Sequence, residues 1–107
     1  MYKNINKNEV LGLAETVDYQ PGQVVSKTLV QNELMSMTIF AFEKGEEISS
    51  HKSGGDAMVT VLEGVGQFTV DGEVRTLKKD QTLIMPKGLP HAVFAVERFK
   101  MQLTVSF

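Results

Sequence analysis

Short runs of β-branched and aromatic residues, each closed by a turn signal, fill this chain from Val24 onward and leave no room for a long helix. Val24 to Val30 is the first run, and Gln31-Asn32-Glu33 interrupts it. Leu34 to Phe42 follows, with Met35, Met37, Ile39 and Ala41 on one face and Leu34, Phe40 and Phe42 on the other. A strand apolar on both faces needs cover on both. Further strands are expected at 47–51, 57–63, 67–70, 73–77, 82–85, 91–95 and 99–107. The last alternates cleanly: Phe99, Met101, Leu103, Val105 and Phe107 share a face, and Lys100, Gln102, Thr104 and Ser106 share the other. Asp71-Gly72 is the clearest hairpin signal, because a type I′ turn needs positive φ at both central residues. Residues 1–22 read as an extension, in which Asn8 is placed to cap a short helical turn through Glu9, Val10 and Leu11. Pro21-Gly22 then marks a turn.

The bulk properties exclude several functions. A chain of 107 residues is the size of one domain, and residues 1–107 are read as one. With no cysteine, there is no disulfide, thiolate metal site or cysteine nucleophile. A formal net charge of −2 gives no electrostatic reason to expect nucleic acid or an anionic membrane as partner. The first residues lack the apolar stretch of a signal peptide, and no apolar run is long enough to span a bilayer. A cytoplasmic location is the resulting expectation.

Pattern alone leaves open whether the strands make a sandwich or a barrel. Two stretches narrow the choice. Gly45 to Gly64 carries Gly45, His51 and the ending Val61-Leu62-Glu63-Gly64. It resembles the first motif of the cupin family, G-x5-H-x-H-x3-E-x6-G. Asp80 to Ala95 carries Pro86, Gly88 and His91 and resembles the second motif, G-x5-P-x-G-x2-H-x3-N. Asp80 stands for the first glycine there, and Ala95 for the asparagine. The resemblance spans residues 34 to 107, with motif one at 45–64 and motif two at 80–95. It implies an all-β, cupin-type β-barrel, which is a double-stranded β-helix or jelly-roll sandwich. It says less about activity, because one fold hosts many functions.

In that family two histidines and a glutamate of motif one, with the histidine of motif two, hold a metal. Here the four positions read His51, Ser53, Ala57 and His91. Two imidazoles remain, one ligand has become a hydroxyl and the carboxylate a methyl. Fe(II) and Mn(II) favour at least one carboxylate, and zinc usually takes three protein ligands. Any divalent transition metal at His51 and His91 is therefore expected to be held weakly, and no cofactor is assigned. Asp56 is the nearest carboxylate, but in a regular strand it faces away from Ala57. The Gly54-Gly55 break before it is the one feature able to relax that rule. The methionines read as core filler and not as copper ligands.

The expected pocket is lined by His51, Ser53, Ala57, Val59, Val61, His91, Val93 and Met101, with Leu103. An apolar wall with a few polar groups is the usual make-up of a ligand site. The primary reading is a barrel that binds a small molecule without strong catalysis of its own. The alternative is a metal-dependent cupin enzyme of the dioxygenase, isomerase or decarboxylase type, its coordination completed by water, substrate or Asp56. A metal-free acid–base enzyme and an interaction module with a vestigial pocket are further readings. A homodimer is expected, because the second apolar face of Leu34 to Phe42 needs cover and small cupins are commonly dimeric.

Overall fold

The computed structural model describes residues 1–107. It has one 3-10 turn, Leu13–Thr16, and nine strands: β1 Val24–Gln31, β2 Met35–Phe42, β3 Glu47–His51, β4 Asp56–Glu63, β5 Val65–Val70, β6 Glu73–Lys78, β7 Thr82–Met85, β8 His91–Ala95 and β9 Phe99–Ser106. Five strands form one sheet in the order β1-β2-β9-β4-β7, and four form the other in the order β3-β8-β5-β6. All pairings are antiparallel. The chain passes repeatedly from one sheet to the other, giving the jelly-roll sandwich. No helix is long and apolar enough to cross a membrane.

The core lies between the sheets. The alternation of β9 turns Phe99, Met101 and Val105 inward, where they join a cluster of 12 buried residues. Phe42 and Phe99 stack with ring centroids 4.7 Å apart, and Phe68 meets Phe99 edge-on at 6.0 Å. Each such fully buried side chain contributes about 1.5–3 kcal/mol. The Asp71-Gly72 hairpin has positive φ at both residues, 48° and 82°, and pairs Val70 with Glu73 across a two-residue loop.

Three local expectations differ from the structure. The N-terminal turn lies at Leu13–Thr16, beginning at Gly12 without a side-chain cap. Asn8 has φ 56°, in the left-handed region, whereas an N-cap is extended. Leu34 precedes β2 and is exposed, because the Asn32 side-chain oxygen accepts the N–H groups of Leu34 and Met35 and makes a local turn. No loop separates β4 from β5: Gly64 alone turns the corner, and pairing resumes at Val65.

The second apolar face of β2 is covered from within the chain. Ile39 and Ala41 are fully buried with Val17 and Leu29, and Ile5, Leu13 and Tyr19 pack against them. The N-terminal segment is tied down by Lys3 N–H to the Leu29 carbonyl, 2.8 Å, and by Lys100 Nζ to the Ala14 carbonyl, 2.6 Å. Lys100 and Arg98 both lie over the Tyr19 ring, whose hydroxyl donates to Glu63 at 2.7 Å. No partner chain is therefore needed to cover Ile39 and Ala41. Further across the sheet, Met58 and Ile84 stay exposed.

Candidate functional site

The two histidines meet on adjacent strands. His51, the last residue of β3, is the direct partner of His91, the first of β8. Their ring centroids are 4.2 Å apart and the planes are inclined at 63°. A bulge makes this possible. Between the pairs Ile48–Val93 and His51–His91, β3 advances three residues while β8 advances two. The extra residue reverses the alternation, so His51 shares the inner side with Ile48. Without it His51 would point outward.

The ring nitrogens are differentiated. His51 Nδ1 lies 3.0 Å from the Ser49 carbonyl, and His91 Nδ1 lies 3.3 Å from the Leu89 carbonyl. A carbonyl oxygen only accepts, so each Nδ1 carries the proton. In the neutral ring each Nε2 then holds a free lone pair. His91 is buried, and that burial pushes its pKa below the usual histidine value. Its bond to Leu89 opposes the shift, and the neighbouring His51 adds to it. The neutral, lone-pair form of His91 is thus favoured.

The other candidate positions are placed differently. The Ser53 hydroxyl donates to the Gly55 carbonyl. Asp56 begins β4 and faces away from Ala57, as a regular strand requires; its Oδ1 accepts the Lys87 N–H at 2.9 Å. Ala57, Val59, Val61, Val93 and Met101 fill the buried cluster, with Leu103 packed against it. No three His, Asp or Glu side chains come together as a metal-holding group. The donor set at the pair is two imidazoles, which does not suit a tightly held divalent metal.

Motif reasoning missed a cavity that neither histidine lines. A cavity of about 250 Å³ lies between the edges of β6 and β7, lined among others by Val70, Glu73, Arg75, Leu83, Pro86 and Leu89. Val70 is the cross-strand neighbour of His91, and the Leu89 carbonyl holds its Nδ1. The sequence signal was the Asp71-Gly72 hairpin, which sets Glu73 opposite Val70. The parity of β6 then places Glu73 and Arg75 on the same face as buried Leu77.

Comparison with known proteins agrees with this architecture. The family model for the cupin domain matches residues 38–107, more than half of the chain. The chain belongs to the cupin family. Among solved structures, this cupin is similar to a conserved protein of unknown function from Streptococcus pyogenes, with 44% identity and a TM-score of 0.96, covering 98% of this chain and 92% of that one. It is also similar to a cupin superfamily protein from Desulfitobacterium hafniense, at 28% identity and a TM-score of 0.95, covering 100% and 98%. An uncharacterised protein from Aquifex aeolicus is 29% identical over 85 residues, 78% of this chain and 70% of its own length.

Proposed function

We propose that this cupin binds a small molecule at the His51–His91 pair, without strong catalysis of its own. One observation carries the reading. Two imidazoles stand side by side with both Nδ1 atoms turned to backbone carbonyls and both Nε2 atoms uncommitted. Two fixed acceptors on adjacent strands are the kind of precisely placed polar groups that orient a small ligand.

Carbonyl-anchored imidazoles are also how metal-ligating histidines are oriented. That arrangement favours a second reading, in which a divalent metal binds weakly and water or substrate supplies the remaining ligands.

The test is an inventory of the protein purified without a histidine tag. Metal content is measured by mass spectrometry of the elements, and bound organic molecules by native mass spectrometry. The expected result is metal well below one equivalent together with a retained small molecule. One full equivalent of metal that survives dialysis against a chelator would overturn the primary reading.

A further inference from the structure

The outer face of the larger sheet stands at two levels. The N-terminal segment lies over its β1–β2 half and packs on Leu29, Ile39 and Ala41. The β4–β7 half has no such layer. Two cross-strand rows run over it: Met37, Thr104, Met58 and Ile84, and beside them Ile39, Gln102, Thr60 and Thr82. Neither row contains a charged residue. A sheet face turned to water ordinarily reads polar, and the outer face of the smaller sheet carries the exposed charges Glu47 and Lys78. Polar groups in the two bare rows pair with one another instead. The Thr60 and Thr82 hydroxyls are 2.7 Å apart, and Gln102 Nε2 donates to Met37 Sδ at 3.6 Å. Covering groups already bonded to each other costs less than stripping water from free ones. What remains to meet solvent is apolar: Met58 at 41% exposure and Ile84 at 58%.

The raised half presents the complement. Tyr2, Val10 and Leu11 are exposed on the N-terminal layer. With Ile5 and Leu13 they line a mainly apolar cavity of about 440 Å³. Area then decides whether the bare half can serve as an interface by itself. Three strands, β9, β4 and β7, run side by side over the four paired positions of β4 and β7. At about 4.8 Å between strands and about 3.4 Å per residue, that patch covers about 200 Å². A stable interface takes about 800 Å² from each partner. A second copy resting on the bare rows alone falls well short, so it must engage the raised layer as well.

We infer that a second copy of this chain docks on the larger sheet in a crossed arrangement. The N-terminal layer of each copy sits on the bare β4–β7 half of the other, and Met58 and Ile84 of each enter the apolar cavity at Tyr2, Val10 and Leu11 of the other. β9 is the middle strand of the sheet, and a twofold axis parallel to it produces this exchange of halves. A twofold axis across the strands would set layer on layer and hold the two bare halves apart. Only the crossed arrangement covers the bare rows and the cavity in one contact.

The chain has no cysteine, so single cysteines report contacts between copies cleanly. Val10→Cys and Ile84→Cys are expressed separately and together, treated with a short bismaleimide and read on a denaturing gel. Cross-linked dimer should form in the co-expressed sample and in neither variant alone. Both positions are exposed, and circular dichroism checks that the fold is kept. In light scattering at micromolar concentration the wild type should be a dimer. Val10→Lys and Ile84→Lys should each weaken it at least about tenfold, because a substitution enters a symmetric contact twice. Four results would overturn the inference. The first is a wild-type monomer. The second is cross-linking of Val10→Cys alone, which would set layer on layer. The third is cross-linking of Ile84→Cys alone, which would set bare half on bare half. The fourth is a dimer that cross-links in no sample, which would place the second copy on another face.

Discussion

Replacing Gly64 by alanine should cost this protein a large part of its stability, although the residue touches no ligand. Gly64 turns the corner between β4 and β5 with φ 77°. An alanine there enters the left-handed region, at roughly 1–2 kcal/mol. Its Cβ would also lie 2.0 Å from the Arg98 carbonyl oxygen and 2.7 Å from the Phe99 Cα. Both are backbone atoms and cannot swing aside, so overpacking adds about 1–3 kcal/mol. The total is about 2–5 kcal/mol, set against a stability of about 5–15 kcal/mol for a typical domain. Gly72→Ala is the matched control. Gly72 has φ 82°, yet a Cβ there meets nothing within 4 Å, so only the backbone term applies. Urea denaturation followed by far-ultraviolet circular dichroism measures both. Equal losses in the two variants would refute the close-approach argument and reduce Gly64 to an ordinary turn glycine.

Four further outcomes are expected. Ser53→His with Ala57→Glu should raise affinity for Mn(II) and Ni(II), read by calorimetry beside a control lacking His91; outer-shell changes alone alter metal affinity about 10–100-fold, so two added inner ligands should exceed that. The same variant should be destabilised without metal, because Ala57 is 1% exposed and an unpaired carboxylate is costly to bury. The depressed pKa of His91 makes folding pH-dependent: its contribution is complete above the unfolded histidine value, about 6.5, and is lost as pH falls through the lower folded value. Denaturation midpoints measured downward from pH 7 should show this decline, and His91→Gln should flatten it; an unchanged slope would mean that His91 does not titrate as its burial implies. Finally, the row Met37, Thr104, Met58 and Ile84 crosses the outer face of the larger sheet and still presents exposed Met58 and Ile84. A second copy of the chain is expected to pack there, so Met58→Lys should shift light scattering from dimer to monomer, and a wild-type monomer at micromolar concentration would rule this out.

The strand pattern and the two motifs were readable because they are local. Alternation, Asp-Gly chemistry and motif spacing depend on neighbours a few residues away, and the expected strands lie within two residues of the observed ones. The missing carboxylate at Ala57 and the missing imidazole at Ser53 were equally plain. What lay beyond the sequence depended on contacts between distant segments. The need to cover β2 was visible in Ile39 and Ala41, but not that Val17 and Leu13 would supply the cover. Parity places His51 outward from Ile48, and only the bulge against β8 turns it toward His91. Glu73 and Arg75 looked like ordinary hairpin charges until the β5–β6 register set them on the inner face in line with the histidines. Register is a property of paired strands. A slip of one residue would send each of these side chains to the opposite face, and the energy that forbids the slip comes from the buried core as a whole.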